Sequence, residues 1–197
     1  HGNEVIRIFS KTLSSLAEGE MLQLQKASSG DTVEEDYFRI IYSKTASLFE
    51  STCVSAAISV NAPDEWVEAV RNYAVSLGIA FQIKDDIFDY TGGKKIGKPV
   101  GIDLEEQKIT LPLLGALESA SDERASQIRN MLLNIQEHPE YKEDIVTFVK
   151  DGKGIEYAVS RLDEYVAKAV GSLAVLPDSR EKEYLVKIAG FTAYRDK

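Results

Sequence analysis

"DEWVEAVRNYAVSLGIAFQIKDDIFDYTGG", residues 64–93, reads as one long helix with an odd end. Asn61-Ala-Pro63 closes the segment before it, and Asp64 can cap the new helix. Val67, Val70, Ala74, Leu77 and Phe81 fall at helical spacing and form an apolar stripe. Gly92-Gly93 then stops the helix. Continued past Phe81, the stripe reaches Asp85 and then Phe88 or Asp89. Asp85 and Asp89 are i,i+4 and share a face, with Asp86 beside them. Three carboxylates thus crowd a helix C-terminus, where the dipole favours cations, and the stripe sets them near the inward side. On the pattern alone, a solvated acidic helix end and a metal site are both open.

The residues that follow bear on the choice. Lys94, Lys95, Lys98 and Lys108 alternate with Gly92, Gly93, Gly97 and Gly101 in a loop spanning 92–109. One reading is a solvated turn whose lysines neutralise the aspartates. The other is a polyphosphate site, since Mg²⁺ takes a few carboxylates together with substrate phosphates, and glycines let the backbone approach. Lys44 favours the second. It sits on the apolar stripe Tyr37, Ile40/Ile41, Leu48, where a lysine usually snorkels outward but next to a metal site can meet an anion.

Outward from these stretches, nearly every segment has helical periodicity. Asn3 can cap a first helix to about Lys26. Thr32-Val-Glu-Glu35 has the form of a capping box, opening a second long helix to about Val60. Thr110, with Pro112 in the first turn, starts a fourth helix, shorter helices follow near 122–136 and 140–150, and others start after "DGKG" (151–154) and at Ser179. No strand alternation, repeat or linker is visible. The expectation is a single all-α domain over 1–197, a bundle of long helices.

Composition narrows the partners. Lys and Arg number 23 against 32 Asp and Glu, a net charge of −9 without any basic run, which argues against nucleic acid. No apolar stretch is long enough to span a membrane, and no charged-then-apolar leader is seen. The single Cys53 cannot form an internal disulfide, lies among small apolar residues, and fits a reducing, cytoplasmic setting. His1 and His138 are isolated and read as solvated.

Three stretches, "YSKTASLFESTC" (42–53), "LGIAFQIKDDIFDY" (77–90) and "GKPVGIDLEEQKITLPLL" (97–114), resemble the trans-type polyprenyl (isoprenyl) diphosphate synthases. "LAEGEMLQLQ" (16–25) also matches, and the likeness weakens after about residue 120. The resemblance implies an isoprenoid synthase fold around a central cavity, a homodimer, and Mg²⁺-dependent condensation of an allylic diphosphate with isopentenyl diphosphate. It implies Asp85, Asp86 and Asp89 as the second aspartate-rich motif and metal ligands, with Asp85 the foremost direct ligand and Asp89 nearby through direct or water contact. Lys44 and Lys98 would contact the allylic diphosphate, and Thr45 and Gln82 would line the path of the carbocation. Asp103 and Lys108 would order the metal-side loop and bear on substrate binding.

The resemblance also implies a first aspartate-rich motif and an arginine pair upstream of the first helix, and neither precedes Asp85. The chain therefore reads as the C-terminal part of a synthase, an incomplete catalyst by itself, without the family's N-terminal helices. A non-catalytic partner subunit has no need of three costly carboxylates. A terpene cyclase-like lyase shares the diphosphate chemistry, but "GKPVGIDLEEQK" points to the synthases. A plain helical interaction module leaves Lys44 on its apolar stripe unexplained.

Overall fold

The computed structural model describes residues 2–92 and 100–195. Helix follows helix, with no strand among the described residues. The order is α1 (Gly2–Ser29), α2 (Glu34–Ile41), a π-helical turn (Tyr42–Ala46), α3 (Ser47–Ser59), α4 (Asp64–Thr91), α5 (Ile102–Glu105), α6 (Leu111–Glu118), α7 (Asp122–Leu133), α8 (Tyr141–Asp151), α9 (Gly154–Ser172), a 3₁₀ turn (Leu173–Val175) and α10 (Arg180–Tyr194). No described helix is long and apolar enough to cross a membrane.

Three details depart from the sequence expectations. The segment 92–109, expected to be a loop, contains the short helix α5. The capping box is displaced by one residue: the Val33 carbonyl accepts from Tyr37, and the Val33 N–H donates to the Asp36 carboxylate at 3.2 Å. The Asp36 carboxylate is also held by Lys26 at 2.8 Å, which Glu35 is not seen to be, and this fixes the frame. Finally, the second long helix is interrupted. At its π turn the Ser47 N–H donates to the Tyr42 carbonyl, five residues back. A π turn adds a residue to the helical path, so a 3.6-residue stripe drawn through it loses register. Leu48, expected to face inward, is 45 % exposed, while Ala46, Ser47, Ser51 and Val54 are buried.

Chain packing divides into two units. One gathers the residues up to Glu20, Arg39–Gln82 and Leu162–Arg195. Its core joins Tyr73 and Leu77 of α4 to Ala169, Leu173 and Ala189, with Phe49, Val166 and Leu185 packed around them. The Tyr73 hydroxyl, carried into this core, donates to the Leu185 carbonyl at 2.8 Å, as a buried phenol requires.

The other unit gathers Met21–Phe38 and Ile83–Arg161. Its centre is α6, apolar on every side and buried from Leu111 to Leu117, as such a helix must be. Ile128, Leu132, Ile145 and Val149 are buried in the same unit. Close approach here depends on a missing side chain: a Cβ on Gly154 would lie 2.0 Å from the Pro112 carbonyl oxygen.

Candidate functional site

The candidate residues form two groups, one in each unit. In the first, the π turn presents Lys44 and Thr45. Turns of this kind widen the helix locally and often mark functional positions. Both neighbouring helices approach the turn through glycines. A Cβ on Gly19 of α1 would meet the Ser43 Cβ at 2.7 Å and the Lys44 Cγ at 2.9 Å. A Cβ on Gly78 of α4 would meet the Ala46 Cα at 2.6 Å.

The Thr45 hydroxyl donates to Gln82 Oε1 at 2.8 Å, which joins two of the predicted residues directly. With its hydrogen committed to Gln82, the Thr45 oxygen offers lone pairs and can serve an electron-poor ligand. Lys44 forms an ion pair with Glu20 of α1 at 2.5 Å, with 27 % and 52 % of the two side chains exposed. A pair this open to water is worth about 0–1 kcal/mol, so a more highly charged anion can displace the carboxylate. Phe81, next to Gln82, packs against Phe49 and carries the Arg195 guanidinium 4.2 Å above its ring.

In the second group, the three aspartates have three different environments. Asp85 is exposed. Asp86 is only 3 % exposed and accepts a hydrogen bond from Tyr37, itself 3 % exposed, at 2.7 Å. This corrects the expectation that Asp85 lies on the inward stripe. The buried face of α4 runs through Ala69, Tyr73, Ala80, Ile83, Ile87 and Tyr90, and carries Asp86 with it. Asp89 caps α5: its carboxylate accepts from the N–H groups of Ile102 at 3.0 Å and Asp103 at 3.2 Å, and its carbonyl from Gly101 at 2.8 Å. Burial pushes the Asp89 carboxyl pKa up, the nearby Asp103 charge adds to the rise, and the amides oppose it.

Lys108 pairs with Asp103 at 3.4 Å and with Glu106. Burial pulls its pKa down, but the two carboxylates outweigh burial and hold it above the usual lysine value. Lys98 lies outside the described residues, with Lys94 and Lys95.

Among the described residues no three carboxylate, histidine or cysteine side chains gather to hold a metal by themselves. A hard cation of the Mg²⁺ kind takes one or two carboxylates and completes its shell with water and phosphate oxygens. An exposed Asp85, and an Asp89 that feels a second carboxylate, are oxygen donors of the right chemistry for such an ion.

Tyr37 was read from the sequence only as an apolar stripe residue. The signal that could have singled it out is its hydroxyl, since a buried tyrosine needs a partner. Tyr37→Phe leaves the buried Asp86 carboxylate short of one donor. It is expected to cost about 1–3 kcal/mol of stability, read as a lower denaturation midpoint with an unchanged m-value.

Comparison with known proteins bears on the family and the fold. The family model described as polyprenyl synthetase matches residues 1–149. The chain belongs to the polyprenyl synthetase family. Among curated relatives, this polyprenyl synthetase chain is 36 % identical over 195 residues to octaprenyl diphosphate synthase of Escherichia coli (strain K12), covering 98 % of the chain and 60 % of that protein. Among solved structures, a polyprenyl synthase from Caulobacter crescentus CB15, complexed with calcium and isoprenyl diphosphate, aligns with a TM-score of 0.89 at 30 % identity. That alignment covers 98 % of this chain and 60 % of the other. Geranylgeranyl pyrophosphate synthase from Bacteroides thetaiotaomicron aligns with a TM-score of 0.88 at 39 % identity, covering 98 % and 64 %. The all-α architecture is thus that of the family's prenyl synthases, and the chain spans about three fifths of the length of the curated relative.

Proposed function

We propose that the chain supplies the C-terminal share of a trans-polyprenyl diphosphate synthase, a Mg²⁺-dependent transferase that joins an allylic diphosphate to isopentenyl diphosphate. The observation that carries this reading is the family match over residues 1–149, a span that includes every candidate site residue from Lys44 to Lys108. The Caulobacter relative was solved with a divalent cation and a diphosphate ester, the ligand pair that carboxylates and lysines suit. A homodimer and a cytoplasmic setting belong to the same reading, the latter supported by a lone Cys53 that is not in a disulfide.

The reaction breaks the bond between the allylic carbon and diphosphate, and the diphosphate leaves with the electron pair. The double bond of isopentenyl diphosphate attacks the resulting carbocation, and a proton is lost to the departing diphosphate. Bound Mg²⁺ supplies neutralisation of the charge that grows on the leaving group. Asp85 is the carboxylate assigned to hold it. Asp86, fixed by Tyr37, keeps the helix end in place, and Asp89, anchored to the α5 amides, would serve the ion directly or through water. Lys44 and Lys98 bind the diphosphate oxygens, Lys44 exchanging Glu20 for the substrate. The Thr45–Gln82 pair offers oxygen dipoles to the carbocation, and Asp103 with Lys108 steadies the segment after α5.

The test is elongation by the full-length protein, with Mg²⁺, labelled isopentenyl diphosphate and allylic starters from C5 to C20. No product from any starter overturns the proposal. A second measurement needs no turnover: Mg²⁺ and inorganic diphosphate together are expected to raise the melting temperature of the chain, by about 3 kcal/mol of stabilisation at a hundredfold excess over Kd. EDTA is expected to reverse the rise, and an equal rise with diphosphate plus EDTA counts against the metal.

A further inference from the structure

Beside the π turn, three side chains form a relay. The Tyr42 hydroxyl, at the first residue of the turn, donates to Glu50 Oε2 at 2.8 Å. Glu50 in turn pairs with the Arg71 guanidinium of α4, and Arg71 Nε is held by Glu68 at 3.2 Å. Burial and the Glu50 carboxylate push the Tyr42 phenol up to about 12, so it stays a donor across the ordinary pH range.

The spacing of Tyr42 and Glu50 is informative. Each residue of a regular helix turns about 100°, which leaves positions eight apart about 80° out of line, and positions seven apart about 20°. Adding one residue to the path makes 42 and 50 behave as a pair seven apart. The hydrogen bond is therefore matched to the π register and mismatched to a regular helix over the same residues. The alternative register has somewhere to go, because Tyr42, Ser47, Glu50, Ser51 and Arg71 line a cavity of about 320 Å³.

We infer that Tyr42, Glu50 and Arg71 are a clamp that selects the π register of residues 42–46, and so act as positioning residues for Lys44 and Thr45. The clamp itself rests on geometry. Its consequence for the reaction rests on the roles proposed above for Lys44 and Thr45.

The test is hydrogen–deuterium exchange with thermal melts on the chain and its Tyr42→Phe, Glu50→Ala and Glu50→Gln variants, followed by kinetics of Tyr42→Phe in the full-length synthase. Exchange over residues 42–50 is expected to accelerate about tenfold in Tyr42→Phe and Glu50→Ala, the opening equivalent of one lost hydrogen bond, with α4 unchanged. Glu50→Gln, whose amide oxygen can still accept from Tyr42, is expected to restore slow exchange. In the full-length enzyme, Tyr42→Phe is expected to raise KM for the allylic diphosphate about tenfold, with a smaller change in kcat. Unaltered exchange over 42–50 in Tyr42→Phe overturns the clamp. So does acceleration spread evenly over all helices with a lowered melting temperature, which marks a general stability effect. Local acceleration with an unchanged KM upholds the clamp and overturns the substrate contact assigned to Lys44.

Discussion

Asp85→Ala in the full-length protein is expected, on the activity proposed above, to lower kcat by about 10²–10⁴-fold, on the scale of other losses of transition-state charge stabilisation. The carboxylate is exposed at the end of α4, so its removal opens no cavity. It also takes a negative charge away from a helix C-terminus, where the dipole disfavours one. The metal-free melting temperature is therefore expected to hold or rise, while the rise produced by Mg²⁺ with diphosphate is lost. Asp86→Ala separates the two kinds of role. Asp86 is buried and bonded to Tyr37, so its removal is expected to lower stability as well as activity. Steady-state kinetics and paired melts decide the matter. Near-normal kcat in Asp85→Ala, with a much lower melting temperature, assigns Asp85 to structure and removes it from the metal site.

Gly78→Ala has the second large expected effect, and it acts through packing. The added Cβ would sit 2.6 Å from the Ala46 Cα and 3.0 Å from its Cβ, so the backbones of α4 and the π turn must separate. Overpacking of this kind costs about 1–3 kcal/mol, offset in part by alanine's better helix propensity of about 1 kcal/mol. In a domain of this size each kcal/mol of that cost lowers the melting temperature by about 2–4 °C. Because the displaced backbone carries Thr45, and Gln82 lies one turn beyond Gly78, the Thr45–Gln82 hydrogen bond is expected to lengthen and kcat to fall with it. A variant that melts as the parent does would show that α4 and the turn do not approach this closely.

Much of the fold was legible because its signals are local. Pro63, Gly92-Gly93, Pro112 and Ser179 mark helix ends by local chemistry, and α4 begins and ends, and α6 and α10 begin, within a residue of those marks. The π turn was not legible. "YSKTA" contains no helix breaker, and what surrounds the turn comes from distant residues: the glycines at 19 and 78, and Arg71 gripping Glu50. The same holds for the aspartates. Sequence identified all three but assigned the burial to Asp85, because a stripe extended by fours from Phe81 drifts away from the true buried face. The partner that settles the face, Tyr37, stands 49 positions away from Asp86. The cap that Asp89 places on α5 was missed for a related reason, since its acceptor role becomes visible only once α5 is known to exist.

The two glycines beside the π turn have unequal evolutionary freedom. The obstacle facing a side chain at position 19 is made of other side chains, Ser43 Cβ and Lys44 Cγ. A second substitution such as Ser43→Gly can relieve the first contact, so Gly19→Ala is conditionally accessible, with strong positive epistasis between positions 19 and 43. The obstacle facing position 78 begins at an α-carbon. No replacement at position 46 removes an α-carbon, so no single partner mutation rescues Gly78→Ala. A library randomised at 19, 43, 46 and 78 should therefore recover correlated pairs at the first two positions and glycine alone at the last.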